Sequence, residues 1–538
     1  MNQVRHATLE LLDLPVEILV YIFSHLDGYE LARAHQVCHN IRHMIDSSSE
    51  LLYPIDLKYF NSIPVPSPGP DHTVASLRES LRQSEFAWQK AEYFKSNPVS
   101  IPYTYITHDV FMWSGGILAL DVQDENRLRF LQPQVTDPDH SNSTSLREWD
   151  YHFDGEFPLC DFSPIQDLLI CLVKASPGES HACDLIFRSL SEPDEVHPEA
   201  GSAVVKTIDE EVDFESLDPS TVSFSIFGNY CGILFSEVLN EDGDLVEILQ
   251  IWNWKSKDVS LCLKPAHEIL HFTFLTNETI LVVNSEELLL YSLVDFPNAL
   301  HLTAKFSLPA LPTSCRYEEI RIKDSISSHS RMHDHIININ MKILGDRDSV
   351  PSSCVALYVE RNTLLELQST YTRQYGKASD SSPNLPWSEW GLKYTRSFRG
   401  DLLDTCKNVV FGLRAVSFVG SQIRHPLPRA LCIRDFNPHR VADFKAGNGI
   451  RWNQRLIEGN LLDSCPDMFL EPLGSGLPYI ETITEEKFIG VDLIAEGNKV
   501  MVLSFDFVGR LKSPRIPDDP YIVQNEPVSK SIEILNFE

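Results

Sequence analysis

Between Ile63 and Pro70 every second residue is proline. A stretch that lacks a backbone N–H and has a fixed φ at alternate positions carries neither an α-helix nor a central strand. What lies on its two sides must fold separately and meet through an extended, semi-rigid spacer. At 538 residues the chain is also past the length at which one core stops growing. Apolar periodicity differs across the prolines: a helical period before them, one more helical stretch after them, then a period of two. The sequence therefore predicts an α+β multidomain chain, with a helical domain over 1–60, a Pro-rich linker and connecting helix over 61–100, and a large all-β domain over 101–538.

In the first part, apolar residues fall at 15, 18, 19, 22, 23 and 26, the i, i+3, i+4 stripe of an amphipathic helix. Pro15 suits a helix start, and Glu17 lies beside the positive end of the dipole. Asp27 with Glu30 has the spacing of a capping box and starts a second helix through Leu31 and Ala34; His39 to Ser47 reads as a third. Three short helices cannot bury this many Leu, Ile and Phe side chains among themselves, so a partner is expected to cover part of that surface.

The run from Leu14-Pro15 through Glu17-Ile18-Leu19 and Ile22-Phe23-Ser24 to Leu26-Asp27, followed by Leu31 and Val37-Cys38, resembles an F-box. The resemblance implies a three-helix module that docks on a Skp-type adaptor and, through it, on a cullin. By position, the adaptor-facing residues would be Leu14, Pro15, Ile18, Leu19, Ile22, Phe23, Leu26, Leu31, Val37 and Cys38. One departure is Ile41, where the family usually has an aromatic three residues after the Cys; a smaller contact is expected there. After the prolines, Asp71 to Phe94 has a helical period with Val74, Leu77, Leu81 and Trp88 near one face, as a strut between domains would.

Beyond residue 100, short runs rich in Val, Ile, Phe, Tyr and Trp alternate with turn residues, the texture of β-structure. Strands are expected, among others, over 167–173, 222–238, 248–263, 272–293, 354–367, 409–419, 430–444 and 488–507. Antiparallel units recur irregularly, about every 40 to 60 residues, which suits a β-propeller of six to eight blades, a fold that limits exposed sheet edges by radial repetition. Two stacked β-sandwiches are the structural alternative. No WD, kelch or leucine-rich pattern is present.

Parts of this region, including 81–101, Pro386-Trp387-Ser388-Glu389-Trp390-Gly391 and Leu431-Cys432-Ile433-Arg434-Asp435-Phe436-Asn437-Pro438, are similar to a broad group of F-box proteins with propeller-like C-terminal regions from mushroom-forming fungi. For a client, Trp387, Trp390, Tyr394, Arg396 and Arg399 are of the types that anchor interfaces, although Trp beside strands also fills cores. The stretch Glu192 to Asp218 sets ten carboxylates against Lys206 and reads as a solvated loop or a surface for a basic partner.

Charge narrows the partners: 45 basic and 76 acidic side chains give −31, which repels a phosphate backbone, so no nucleic acid is expected. No segment approaches the roughly 18 to 20 apolar residues of a membrane span, and the first residues do not read as a secretory leader. Eleven scattered cysteines without a C-x-x-C pair fit a reducing compartment, cytoplasmic or nuclear.

His267-Glu268-Ile269-Leu270-His271 satisfies H-E-x-x-H. Pro265 before it and a β-rich run after it deny the helix that would align both histidines on zinc, and a zinc hydrolase is the remote alternative. His329, His333 and His335 read as a polar turn. No metal, cofactor or catalytic residue is expected. The function predicted is substrate recognition in an SCF-type ubiquitin ligase, with an unidentified client protein held by the β domain; a non-ligase F-box scaffold is the alternative.

Overall fold

The computed structural model describes residues 11–62, 64, 72–95, 99–101, 111–122, 127–134, 145–153, 159–175, 181–209, 222–239, 245–257, 260–263, 268–324, 334–345, 353–376, 382–400, 409–420, 428–447, 453–459, 468–489, 492–496, 499–506 and 529–537. A 3-10 turn at Leu11–Asp13 leads into α1 (Val16–Phe23), α2 (Gly28–Ala34), α3 (His39–Asp46) and α4 (Ser49–Phe60). The predicted capping box starts α2: Asp27 Oδ1 accepts from Glu30 N at 2.8 Å, and Asp27 N donates to the Glu30 carboxylate at 3.0 Å. The fourth helix was not expected, because Pro54 falls inside it. Gly28 lets α2 lie against it, for a Cβ there would sit 2.4 Å from Pro54 O.

Helix α5 (Val74–Lys90) is the predicted strut, with Thr73 and Ser76 forming its own capping box. It packs on both neighbours. Arg78 Nε donates to Asp56 Oδ2 of α4 at 2.6 Å. At the other end Trp88 is buried and stacks on Phe537 with ring centroids 3.8 Å apart. Beside it, buried Glu85 pairs with Arg414, which also lies 3.6 Å from Asp435, itself paired with Arg440.

The chain then lays down β1 (Phe94–Lys95) and β2 (Val99–Ile101) and enters a large region of antiparallel sheets. The first sheet is β3 (Phe111–Ser114), β4 (Ile117–Val122), β5 (Arg127–Gln134) and β6 (Ser145–His152). The second is β7 (Leu159–Ser163), β8 (Leu168–Lys174), β9 (His181–Ser189) and β10 (Val204–Asp209). The third is β11 (Val222–Phe227), β12 (Tyr230–Leu239), β13 (Leu245–Asn253) and β14 (Ser260–Leu263). The fourth is β15 (His271–Thr276), β16 (Thr279–Val283), β17 (Glu287–Ser292) and β18 (His301–Ser307).

The fifth sheet is β19 (Cys315–Asp324), β20 (Ile336–Gly345), β21 (Ser353–Glu360) and β22 (Thr395–Gly400). It is interrupted after β21 by α6 (Arg361–Tyr375) and α7 (Trp387–Tyr394). The sixth joins β23 (Val409–Phe411), β24 (Arg414–Phe418), β25 (Arg429–Asp435), β26 (Gln454–Ile457) and β27 (Tyr479–Phe488), with α8 (Pro438–Lys445) after β25. The seventh holds β28 (Asp492–Glu496), β29 (Lys499–Asp506) and β30 (Ser529–Asn536), and β30 pairs with both β1 and β2. Two expected strands are corrected: 354–367 is strand only to Glu360, and 430–444 only to Asp435, each continuing as a helix.

First strands of successive sheets lie beside one another, β3 by β7 and so on to β23 by β28. The two-residue period sends alternate side chains into the layers on either side of each sheet. In β12, Cys231, Ile233 and Phe235 pack toward the second sheet and Leu234 toward the fourth. Among the described residues no helix is long and apolar enough to cross a membrane.

Candidate docking surface

The four N-terminal helices close on a small core of Leu19, Phe23, Leu31, Ile41, Met44, Ile45 and Leu51, with Leu14, Leu26 and Cys38 packed against it. Three of the ten positions carried over as adaptor-facing are thereby corrected. Leu19, Phe23 and Leu31 are 6%, 6% and 0% exposed, because each is needed to fill this bundle. Leu14, Leu26 and Cys38 are half-buried, whereas Pro15, Ile18, Ile22 and Val37 are exposed. Ile41 faces the core, so it serves the fold and makes no outer contact.

Apart from Glu17, every residue of α1 is apolar or aromatic. Such a helix has more greasy surface than one inward face uses. The surplus is Ile18 at 47% exposure, Tyr21 at 66% and Ile22 at 39%, side by side on the helical wheel, with Leu11, Leu12 and Val16 exposed just before them. Position-by-position carry-over missed Leu11, Leu12, Val16 and Tyr21; the all-round apolarity of α1 was the signal for the last two.

The β region meets the bundle elsewhere. Tyr59 bonds to Asp443 and stacks on His439, and Asn437 Nδ2 donates to Tyr59 O at 2.9 Å. Asn61 Nδ2 donates to Asp334 O at 2.5 Å. Burial and the bond to Asp443 push the Tyr59 hydroxyl well above its ordinary range. The bundle is thus pinned to α8 and to the start of β20 while Ile18, Tyr21 and Ile22 stay open.

Of the client anchor proposed over 387–399, Trp387, Trp390 and Arg396 lie in the interior. Trp387 and Trp390 are 1% and 0% exposed, donate to Pro472 O at 2.9 Å and to Ser307 O at 3.0 Å, and meet edge to face. Arg396 is buried and donates to Leu477 O at 2.8 Å; Tyr394 is half-buried, and Arg399 alone of the five is exposed. These residues bind the fourth and fifth sheets to the 468–477 segment. In the acidic stretch, Glu192, Asp194, Glu195 and Glu199 are exposed, 204–209 form β10, and 210–218 lie outside the described residues.

His267 also lies outside the described residues, as do His329 and His333. Glu268 to Leu270 are not helical, and His271 opens β15, where burial holds it neutral with a pKa of about 4. His335 is fully buried, its pKa held down to about 3. Among the described residues no group of three His, Cys, Asp or Glu is placed to hold a metal.

Residues 11–57 match the family described as F-box-like. The comparison with curated proteins found no match. Among solved structures the chain is similar to the crystal structure of a functionally unknown protein from Desulfotomaculum acetoxidans, at 11% identity and a TM-score of 0.24, covering 45% of this chain and 67% of that one. A likeness of that size carries no argument.

Proposed function

We propose that this chain, which carries an F-box-like domain at residues 11–57, is the client-recognition subunit of an SCF-type ubiquitin ligase. F-box domains generally dock on Skp-type adaptors and are non-catalytic. Here the bundle holds the adaptor and through it a cullin, while the β region, its seven sheets closed as a seven-bladed propeller, holds a client protein. The division into 1–60, 61–100 and 101–538 belongs to the same proposal, with β1 and β2 paired into the seventh sheet. Catalysis is by proximity: tethering raises the local concentration of the client's lysines beside charged ubiquitin. The chain's own residues do no covalent chemistry in this scheme, and it works in the cytoplasm or nucleus.

The observation that carries the proposal is the open apolar arc of Ile18, Tyr21 and Ile22 on a bundle whose α4 end is pinned to the strut and the β region. A side chain of this kind contributes about 1.5–3 kcal/mol when fully removed from water. Leu11, Leu12, Val16, Ile18, Tyr21, Ile22 and Val37 are 39–71% exposed, so each offers about half of that, against an association cost of about 4–15 kcal/mol. Docking therefore needs most of the set, including the four that carry-over missed.

The test replaces exposed residues, since Leu14 also supports the core. Ile18→Asp with Ile22→Asp is expected to cut adaptor co-purification by at least about tenfold with an unchanged melting midpoint. Val294→Asp, at a 68% exposed site in the β region, should leave recovery intact. Undiminished adaptor recovery by the double variant would refute the proposed surface. Cullin recovered with the adaptor separates a ligase subunit from a non-ligase scaffold.

A further inference from the structure

The layer between the fifth and sixth sheets differs chemically from its neighbour. Between the fourth and fifth sheets, Ile337, Ile339, Met341 and Ile343 pack on Leu281, Val283, Leu288 and Leu290. The other face of β20 carries Asn338 and Asn340. Asn338 is the cross-strand partner of Tyr358, and Tyr358 of Arg396; Asn340 pairs with Ala356, and Ala356 with Phe398. Across the layer, Arg434 pairs with Ala415 and Cys432 with Ser417. The two sides touch: the Arg434 guanidinium lies 4.2 Å over the Phe398 ring, and Tyr358 stacks on Phe436 at 5.6 Å.

Polar atoms gather here without partners. Oδ1 and Nδ2 of Asn338 and of Asn340, the Tyr358 hydroxyl, Arg434 Nε and Arg396 Nη2 are buried and make no hydrogen bond. Asn338 and Tyr358 are 0% exposed, Arg396 3% and Asn340 7%. Native interiors rarely leave such groups unmet, and an apolar pair in place of two asparagines would remove the cost.

Donors outnumber acceptors, and the charge is positive. Arg434 gives Nη1 to Ser417 Oγ at 2.7 Å. Its nearest acid along the ladder, Glu481, is engaged by Arg455 Nη2 at 2.7 Å and Cys432 Sγ at 3.6 Å. Ala356 and Ala415 are the small side chains of the layer, both buried beside Ile336, Tyr358, Phe436 and Tyr479. Arg434 and Glu481 are half-buried, so the layer reaches solvent at that side.

We propose that this layer is a binding site for a small free oxyanion of phosphate or sulfate size, held by Arg434 and Arg396, the amides of Asn338 and Asn340, and the Tyr358 hydroxyl. Guanidinium and amide N–H groups supply the charge-assisted bonds that such an ion accepts. The depth of Asn338 and Tyr358 favours a free ion over a phosphate attached to another macromolecule.

The test uses the full chain, exchanged into chloride buffer and then denatured, with released phosphate and sulfate measured by ion chromatography. Melting is followed in parallel with inorganic phosphate added at constant ionic strength. About one equivalent released on unfolding, or a saturable rise in melting midpoint with phosphate, is expected for the native chain. Both should be lost in Arg434→Met and kept in Arg373→Met, at an exposed cation in the last turn of α6; Asn340→Leu serves if Arg434→Met does not fold. Absence of both effects in the native chain, or an equal response in Arg434→Met and Asn340→Leu, overturns the site. So does an Asn338→Leu/Asn340→Leu chain that is more stable than the native one while the native one shows no ion effect, because the layer then holds water only.

Discussion

Glu360 ends β21 and stands at the start of α6, yet its side chain does not cap that helix. The cap comes from Asp334, whose Oδ1 accepts from the backbone N–H of Asn362 and of His335 at 2.9 Å each, and which Asn61 of the bundle holds in turn. Burial first, then the charges of Asp334 and Glu366, push the Glu360 carboxyl from 4.5 up to about 8. Folding therefore favours its protonated form. Stability from this group is fully present below the unfolded value and is lost as pH rises through the folded one. Glu360→Gln should gain stability over the native chain between pH 5 and 8, by on the order of a few kcal/mol at the upper end. Melting curves across that range check it, and parallel pH profiles for the two proteins would count against it.

At the scale of elements, α5 decides how the bundle is held. Its first turns are tied to α4 by Arg78 and its last by Glu85 and Trp88 to the sixth and seventh sheets. Burial pushes the Glu85 carboxyl upward while Arg414 opposes it, so the pair is stable only together. Arg414→Met is expected to cost about 3–5 kcal/mol by leaving a buried carboxylate alone. Glu85→Leu with Arg414→Met should recover most of that, as read by chemical denaturation; a double variant as unstable as the single one would rule out the ionic explanation.

The elements differ in how far the sequence announced them. Helices α1, α2 and α5 were legible because periodicity and capping are local: Asp27 with Glu30 reads directly as a start. Helix α6 was not, since its cap is Asp334, 28 residues before the N–H it satisfies, and the strand before it runs on without a turn residue. Helix α8 had a local signal that went unread, Asn437 before Pro438, with the Asn437 Oδ1 accepting from His439 N. Helix α4 was hidden by Pro54. Of the docking surface, the apolar surplus of α1 was legible, but which face it showed depended on the bundle's own packing. Trp387 and Trp390 could be placed inside only once Pro472 O and Ser307 O stood opposite them.

For the molecule as a whole, the decisive sheet is the seventh, where β30 pairs with β29 on one edge and with β1 and β2 on the other. Strands from the two ends of the β region thus complete one sheet, and Phe537 seals it by stacking on Trp88 of the strut and lying near Tyr93. If sheets packed in sequence melted one by one, as in an open array, damage here would loosen the seventh sheet and leave the third and fourth unchanged. Joining the ends couples them. Phe537→Ala, which empties a fully buried aromatic site, should cost about 3–5 kcal/mol and lower the midpoint of the whole β region in a single calorimetric transition. Phe274→Ala, equally buried in the fourth sheet, should do the same. Protease cleavage between 64 and 95 should rise in the Phe537 variant beyond its rise in the Phe274 variant, because only Phe537 holds the strut. Two separate transitions in either variant would mean that the end strands pair without making the β region one cooperative unit.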